Sequence, residues 1–417
     1  MKHLLRILSL TFVLCLVFTF SAAAETVSPI YHADDLFTSR DLTQTADGSE
    51  ATSSTVSDGQ DIHITSAGVY VFSGKAANAT IYVEAGKDDK VQLVLNGVNI
   101  SNDSFPAIYV KTADKVFVTV SADSSLSVTG AFTTDGSTKT DGVIYCKTDL
   151  TLNGTAALTI SSSKNGIVAK DDLKITGGAY TITAKSKAIE ANDSIRMAGG
   201  TLNLTAGKDA LHAENDEDDQ KGYVYIGGGS LTIYAGDDGI HATSVVQIDG
   251  GTLNIQAAEG IEGTYIQLNG GVINIQSTDD GINAARKSSA YTPTVEINDG
   301  DITIAMGAGD TDGIDTNGNI IMNGGTVRVT GSSTFDYDGS AQYNGGVIIA
   351  NGQQLASIPN QMMGGRGGRG GWGGRGGWDT SSQVSPDAMS QATPGAQSEQ
   401  GWGGFGGRGG IGGRGGW

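Results

Sequence analysis

The stretch that decides the fold runs from Gly236 to Asn283 and reads GDDGIHATSVVQIDGGTLNIQAAEGIEGTYIQLNGGVINIQSTDDGIN. One pattern occurs twice in it: an acidic residue, Gly, Ile, a polar residue, a short apolar run, a Gly pair and a Thr/Val–Leu/Ile–Asn–Ile run. A pattern that recurs every roughly 20 to 50 residues is typical of stacked repeat architectures. The repeat is therefore the primary guide to the fold.

The repeat continues in both directions from this stretch. Its second turn glycine recurs at Gly178, Gly200, Gly229, Gly251, Gly271, Gly300, Gly325 and Gly346. Two of the spacings are 29 residues long and contain insertions, at 215–222 and 286–293. Each unit holds three short runs in which Ile, Val, Leu and Thr alternate with polar residues, as in half-buried strands. Because one coil cannot bury its apolar side alone, the coils are expected to stack around one core.

The predicted fold class is all-β, a right-handed single-stranded parallel β-helix (a solenoid) with roughly 20–30 residues per coil. We expect the β-helix to occupy residues 61–360, with regular coils from 164 to about 351. Residues 25–60 show little periodicity and predict a mobile lead-in and N-terminal cap whose end folds over the first coil. Residues 361–417 are rich in Gly, Arg and Trp, a composition that builds no packed core and predicts a disordered tail.

Residues 1–24 have the organisation of a secretory signal peptide. Lys2 and Arg6 precede an apolar run at 7–20, and the alanines at 22–24 offer a cleavage site. The apolar run is shorter than the roughly 20 residues that a membrane span needs. We therefore expect a secreted protein, extracellular or associated with the cell surface and not inserted into the membrane. Cys146 is then the lone cysteine of the mature chain, and a buried packing role is expected for it.

The net charge of the chain limits its partners. The whole chain carries −19, and residues 25–360 carry −23, because two cationic residues lie in the leader and five cationic and three acidic residues follow Asn360. A body this acidic repels nucleic acid and anionic membranes. It also repels acidic polysaccharides unless a divalent cation lies between the two.

Alignment of the units on their Ile residues predicts two rows of polar side chains. The first row contains Asp209, Asp238, Glu259, Asp280 and Asp312, with Asp338 expected to continue it. The residue after each Ile forms the second row, which contains Val168, Glu190, His212, His241, Glu262, Asn283 and Asp315. In a parallel β-helix, equivalent positions of adjacent coils lie about 4.8 Å apart.

Carboxylates at about 5 Å repel each other by roughly 0.8 kcal/mol in water and about 3 kcal/mol at an effective dielectric of about 20. A recessed row therefore needs cations, and hard oxygen ligands suit Ca²⁺. The predicted calcium ligands are Asp209, Asp237, Asp238, Glu259, Glu262, Asp279, Asp280, Asp310, Asp312 and Asp315. The alternative is that each Asp-Gly pair merely forms the corner turn of its coil.

Two further features of this region stay open. His212 and His241 are interpreted as solvated surface residues, with a metal pair or an acid/base pair as the alternative. The acidic insertion at 213–222 is either a solvated loop or another calcium loop.

The sequence offers a binding face but no convincing active site. Asn203, Asn254 and Asn274 share one row and are candidates for polysaccharide binding or for a structural amide ladder. A lyase needs a strong base beside a calcium-held uronate, whereas Arg196, Arg286 and Arg328 occupy non-equivalent positions in the repeats. The Asp-Asp pair of the repeats recurs, whereas a catalytic carboxylate pair is normally single. We therefore predict binding without catalysis.

Four features of the sequence carry a resemblance to a known family. They are FTSRDLTQTADGSEA (37–51), VQLVLNGVNISNDSFPAIYVKTADKVFVTV (91–120), DLTLNGTAALTISSSKNGIVAKDDLKITGG (149–178) and the repeated DDGI units. Over about Leu36 to Gly352 the chain resembles secreted bacterial carbohydrate-binding domain proteins, right-handed parallel β-helices similar to polysaccharide lyases in fold. The resemblance implies binding of cellulose or acidic sugar polymers, calcium on the β-helix, and no demonstrated catalysis.

Two other functions remain as alternatives, a surface adhesin that binds a protein partner and a lyase-like enzyme. The tail lies outside the resemblance, and its four tryptophans suit contact with cell wall, glycan or a protein partner, unless it is only a solvated tail.

Overall fold

Parallel strands stacked coil upon coil account for almost all of the regular structure of this protein. The computed structural model describes residues 28–307 and 311–361, which belong to the unit Met1–Gly364. The predicted signal peptide, the tail after Gln361 and Asp310 lie outside the described residues. No helix of the described residues is long and apolar enough to cross a bilayer.

Each regular coil contributes one strand to each of three ladders, in which successive coils pair in parallel. The first ladder is a sheet of Ile62–Ile64, Ile81–Glu84, Ile108–Thr112, Gly142–Cys146, Asn165–Ala169, Ile189–Ala191, Leu211–Ala213, Asp238–Ala242, Glu259–Gly263, Ile282–Ala284, Asp312–Thr316 and Ser333–Tyr337. The second ladder comprises Thr52–Thr55, Lys115–Ala122, Asp149–Gly154, Asp172–Ile175, Ser194–Met197, Tyr223–Ile226, Val245–Ile248, Tyr265–Leu268, Thr294–Ile297, Asn319–Met322 and Ala341–Tyr343. The third comprises Ser124–Val128, Ala157–Ser162, Ala179–Ala184, Thr201–Ala206, Ser230–Ala235, Thr252–Ala257, Val272–Ser277, Asp301–Met306, Thr326–Thr330 and Val347–Ala350.

The remaining elements join or end these ladders. Two long strands, Gly68–Ala77 and Lys90–Asn102, run through both the second and the third ladder, which makes them one sheet. Gln353–Leu355 pairs antiparallel with the last strand of the third ladder. The other elements are an antiparallel pair, Thr134–Asp135 with Thr138–Lys139, and two four-residue helices, Ala33–Leu36 and Ser39–Leu42.

The strand pattern of the sequence follows directly from this arrangement. Many strands of the third ladder alternate between buried apolar and exposed residues, as in Thr252–Ala257. The inward side chains form one continuous apolar cluster between the ladders, from Val56 to Ile358. All eight aligned turn glycines have φ between 73° and 111°, the left-handed region that only glycine adopts without strain. The repeat therefore specifies both the core and the corners.

The lead-in differs from the expectation of a mobile segment that ends over the first coil. Residues 30–44, called the strap here, lie along the second ladder, with Ile30 beside the coil of Gln267 and Gln44 beside the coil of Thr176. The N–H of Ile30 donates to Gln267 Oε1 (3.0 Å), and Gln44 Nε2 donates to the carbonyl of Thr176 (3.1 Å). The first strand of the coils begins at Thr52, before the predicted boundary at 61.

Asp41 holds the middle of the strap in place. Its carboxylate is completely buried and lies 2.5 Å from Lys115 Nζ and 3.2 Å from Lys174 Nζ. Beyond it, Leu36 and Phe37 pack against Tyr223, Tyr225 and Val245 in a second apolar cluster. The strap thus covers the outer face of several coils of the second ladder.

Cys146 is fully buried, as expected, and its thiol donates to the carbonyl of Thr148 (3.1 Å). Burial raises the pKa of this thiol to about 12. A thiol with such a pKa stays protonated at neutral pH and is unreactive.

Candidate functional site

The first ladder brings the predicted rows together in space. His212 pairs with His241, His241 with Glu262, Glu262 with Asn283 and Asn283 with Asp315. In the first row, Asp238 pairs with Glu259, and the N–H of Gly260 donates to the carbonyl of Asp280 (3.0 Å). The repeat alignment predicted this register. Because the Ile of each unit is buried, the residue after it faces away from the core.

The prediction that Asp338 continues the first row is wrong. Asp312 pairs with Ser333, and Asp315 pairs with Asp336. Phe335 takes the place of the aligned Ile in this coil, so Asp336 continues the second row. Asp338 belongs to the following turn, where its N–H donates to the carbonyl of Thr316 (3.1 Å).

The N-terminal part of the two rows, called the histidine end here, is a network of ion pairs. His212 Nδ1 lies 2.6 Å from Asp209 Oδ2, and its Nε2 lies 3.0 Å from Glu214 Oε2. His241 Nδ1 lies 2.7 Å from Asp238 and 2.8 Å from Glu262. The two imidazole rings stack with their centroids 4.5 Å apart. The interpretation of these histidines as solvated is wrong, because His212 is 6% exposed and His241 is largely covered.

The pKa values of the histidine end reflect this pairing. Burial lowers the pKa of His241, but hydrogen bonds to Asp238 and Glu262 outweigh it and raise the pKa to about 9. Burial raises the pKa of Glu262, but His241 and Lys287 lower it to about 2. Two of the predicted calcium ligands, Asp238 and Glu262, therefore already have a cationic partner in His241.

The C-terminal part, called the acid end here, is a cluster of five carboxylates and one amide. It comprises Glu259, Asp280, Asn283, Asp312, Asp315 and Asp336. One carboxylate oxygen each of Asp312, Asp315 and Asp336 lies within 4.8 Å of the others. Burial, followed by the charges of Asp280 and Asp312, raises the pKa of Asp315 to about 7. Burial and the crowding of carboxylates therefore oppose ionisation of Asp315.

Asn283 and Glu259 form the N-terminal side of the acid end. Asn283 Nδ2 donates to Glu259 Oε2 (3.1 Å), whereas the buried Asn283 Oδ1 accepts no hydrogen bond from any described residue. Burial and the charges of Glu262 and Asp238 raise the pKa of Glu259 to about 8. A buried amide oxygen without a donor is unfavourable unless a cation or water fills the gap.

The remaining predicted ligands are less well placed. Asp237 and Asp279 are exposed, and Asp237 forms a carboxylate group with Asp209 and Asp238. Asp209 Oδ1 and Asp280 Oδ1 each accept a backbone N–H from the next coil, so part of their role is structural. The corner-turn alternative therefore explains some contacts of the first row but not the carboxylates of the second row, Glu262, Asp315 and Asp336.

The two insertions of the repeat meet beside the histidine end. Ser288 Oγ donates to the carbonyl of Asp219 (2.6 Å), and Ser289 Oγ bonds the carboxylate of the same residue. A recess of about 350 Å³ lies against the first insertion, and its lining includes His212, Glu214 and Asp193. The sequence did not reveal this meeting, because the insertions are about 70 residues apart and share no motif.

The third ladder presents the predicted asparagine row on its exposed face. Asn203 pairs with Thr232, Thr232 with Asn254, and Asn254 with Asn274. Asn274 Nδ2 donates to Asn254 Oδ1 (3.0 Å), so these two residues do form one step of an amide ladder. Both asparagines remain exposed and can still offer polar atoms to a ligand.

A shallow groove of about 320 Å³ runs across the same face. Its lining is uncharged and consists of Thr232, Ile233, Tyr234, Asn254, Ile255, Gln256, Asn274, Ile275, Gln276, Thr303 and Ala305. Tyr234 is 53% exposed, unusual for a large aromatic side chain. Sequence reasoning missed Tyr234, Gln256 and Gln276, although all follow the Thr or Asn of the row by two positions.

A family model described as "Carbohydrate-binding domain-containing protein" matches residues 58–310. This chain belongs to that family. The match covers the N-terminal coils, the histidine end and the asparagine row, and it ends before Asp312, Asp315 and Asp336 of the acid end.

Two similar proteins extend the comparison. A carbohydrate-binding domain-containing protein of Acetivibrio thermocellus is 37% identical over 124 residues, which are 28% of this chain and 43% of the relative. The chain thus matches less than half of the length of that relative. A solved structure described as the polysaccharide lyase-like protein from C. thermocellum has a TM-score of 0.43 and 25% identity, and the alignment covers 70% of this chain and 99% of that one.

Proposed function

We propose that this protein is a secreted, calcium-stabilised parallel β-helix that binds polysaccharide through the exposed face of its third ladder without catalysis. Family membership supports carbohydrate binding. The observation that carries the proposal is the uncharged groove around Tyr234, where polar side chains repeat in register from coil to coil. We infer a right-handed coil, because connections between parallel strands of one sheet are right-handed in nearly all proteins.

The chemistry of the groove suits a repeating neutral polymer. Equivalent side chains of adjacent coils recur at about 4.8 Å, so a polymer lying across the coils meets similar polar groups at each step. The exposed ring of Tyr234 offers an apolar face with a hydroxyl at its edge, a combination suited to packing against a sugar ring. Since no charged side chain lines the groove, we favour a neutral glucan such as cellulose at this face.

We propose calcium at the acid end. Its carboxylates and the Asn283 amide oxygen are hard oxygen ligands, and Ca²⁺ binds about six to eight of these. The unsatisfied Asn283 Oδ1 and the carboxylates of Asp312, Asp315 and Asp336 support the fit. The histidine end is a poorer calcium site, because Asp209, Asp238 and Glu262 are already paired. An acidic polymer would bind at the acid end through calcium. The carboxylates of the polymer would complete the coordination shell of calcium ions that are also bound by the carboxylates of the acid end.

The direct test is retention of the full chain on insoluble cellulose and in gels that contain polygalacturonate. We expect Tyr234→Ala to weaken cellulose retention by about tenfold, because aromatic residues commonly dominate the energy of such contacts. Asn99→Ala is the matched control, because Asn99 lies exposed in the same row, six coils away from Asn254. Equal retention of wild type and Tyr234→Ala would remove the groove from the proposal, and formation of an unsaturated, ultraviolet-absorbing product would indicate a lyase.

A further inference from the structure

The two stacked histidines are held in the manner of metal-binding imidazoles. Each has its Nδ1 beside a carboxylate three residues earlier in the chain, Asp209 for His212 at 2.6 Å and Asp238 for His241 at 2.7 Å. When a metal ion displaces the proton on Nε2 of such an imidazole, the carboxylate still accepts the proton on Nδ1, and Nε2 faces the other way. Metal-binding histidines are commonly oriented by this kind of carboxylate contact.

The two stacked imidazole rings lie next to the carboxylate of Glu214. The rings lie at an interplanar angle of 17° with their centroids 4.5 Å apart. His212 Nε2 is hydrogen-bonded to Glu214 Oε2 (3.0 Å), and His241 Nδ1 is hydrogen-bonded to Asp238 Oδ2 (2.7 Å). The edge of the stack that Glu214 meets is where an ion would bind. One ligand atom each of His212, Glu214 and His241 lies within 4.8 Å of the others.

The surroundings allow an ion to reach this edge and be held there. His212 and Glu214 line the recess of about 350 Å³ beside the first insertion, and His241 and Glu214 line a smaller recess between the two insertions. The side chain of Glu214 is half-exposed, so it can move. Ligand atoms around a tetrahedral ion with bonds of about 2.0–2.1 Å are about 3.3 Å apart, so the ligand atoms need to approach one another by at most about 1.5 Å.

We propose that His212, Glu214 and His241 form a site for a divalent transition-metal ion of the Zn²⁺ type, separate from the calcium at the acid end. Imidazole nitrogen suits Zn²⁺, Cu²⁺ and Ni²⁺, whereas Ca²⁺ takes oxygen ligands. Two imidazoles and one carboxylate leave a fourth tetrahedral position for water or a ligand in the recess. The competing interpretation is that the histidines serve only as counter-ions for Asp209, Asp238 and Glu262.

Titration of the metal-stripped full chain with Zn²⁺ in excess Ca²⁺ tests the proposal, because calcium then occupies its own site. We expect about one equivalent of Zn²⁺ by calorimetry and by metal analysis after dialysis. His241→Gln and Glu214→Gln should each weaken Zn²⁺ binding by at least about tenfold, as loss of a supporting group alone often does. Glu214 is exposed, so Glu214→Gln is expected to fold normally even if His241→Gln does not.

The matched control is His63→Gln. His63 also lies beside a carboxylate, Glu84 at 3.4 Å, and stacks on a ring, Tyr82, but it has no second histidine beside it in the described residues. Its replacement should leave Zn²⁺ binding unchanged. Bound Co²⁺ should give the visible spectrum of a tetrahedral ion with nitrogen ligands, which an unspecific carboxylate site does not give. Absence of Zn²⁺ binding in excess Ca²⁺, or binding that Glu214→Gln leaves intact, would overturn the proposal in favour of simple ion pairs.

Discussion

Replacing Asp315 by asparagine is expected to change the melting temperature in opposite directions with and without calcium. The Asp315 carboxylate shares the acid end with Asp312 and Asp336, with an oxygen of each within 4.8 Å. In the calcium-free protein the substitution removes repulsion from both neighbours. In the calcium-loaded protein it removes an ionic ligand. A carboxylate with a purely structural role would produce only one of these effects.

The magnitudes follow from the geometry. Two charges 4.8 Å apart repel by about 0.9 kcal/mol in water and about 3.5 kcal/mol at an effective dielectric of about 20. For a half-buried group we expect Asp315→Asn to stabilise the calcium-free protein by about 1–3 kcal/mol. Calcium at a hundred times its dissociation constant stabilises the wild type by about 2.7 kcal/mol, and the variant should lose most of this gain. At roughly 2 °C per kcal/mol, both shifts are measurable.

The assay is thermal unfolding, followed by circular dichroism, of wild type and variant in chelator and in millimolar calcium. Asp299→Asn is the control, because Asp299 is exposed and lies outside the acid end. It makes the same change of charge and should shift both curves by little. Identical melting curves of the wild type with and without calcium, or a variant that loses stability in chelator, would refute the reasoning.

Three further predictions concern the coils and the strap. Asp41→Asn should destabilise the docked strap by up to about 3–5 kcal/mol, because it leaves Lys115 and Lys174 buried without a counter-ion, and hydrogen exchange of residues 30–44 should rise. Burial raises the pKa of Asp41, but contacts with its lysine partners outweigh burial and lower the pKa overall. In the wild type, the stabilisation from the ionised Asp41 is therefore present above the ordinary carboxyl pKa and is lost as the pH falls below that value. Gly281→Ala should cost about 1–3 kcal/mol in denaturant melts, because its new Cβ would lie 2.5 Å from a carbonyl oxygen of the next coil, and a melt equal to wild type would contradict that packing. Cys146 should react with a thiol reagent only after unfolding, and rapid labelling of the native protein would show that its burial is incomplete.

The repeat alone was sufficient to predict the stacking register. Gly251 and Gly271 recur at the same place in the pattern, and both have the left-handed φ that such a turn needs. Since the side chains of a strand alternate between faces, alignment of the Ile residues also predicted that His241, Glu262 and Asn283 are neighbours. The alignment failed only where Phe335 replaced the expected Ile and an Asp-Gly pair occurred later in the coil.

The strap and the cover over the histidines depend on contacts that no local pattern records. The strap is fixed by hydrogen bonds such as that of Ile30 to Gln267, 237 residues away. The structure adds one local contact, a capping box of Thr38 and Asp41 at the start of the helix Ser39–Leu42. His212 was interpreted as exposed because it follows a buried Leu in a strand, and its burial depends on neighbouring charged side chains and on the first insertion.

The calcium role of individual acids and the nature of the polymer stay predictions. The structure separates two groups of acids: Asp209, Asp238 and Glu262 lie beside histidines, whereas Asp312, Asp315 and Asp336 lie beside one another. The structure also favours one class of polymer, a neutral one, because the groove beside Tyr234 is uncharged whereas the first ladder is acidic. Neither distinction was available from composition, since both depend on which side chains meet in space.

The most direct measurement of the central claim is the affinity of the full chain for soluble glucan oligomers of increasing length. The groove spans four coils, from Thr232 to Thr303, which is about 14 Å at the strand spacing. We predict that affinity rises with oligomer length until the oligomer covers this span and then levels off, and that Tyr234→Ala lowers the plateau. An affinity that is independent of length, or a length dependence that Tyr234→Ala leaves unchanged, would contradict binding along this face.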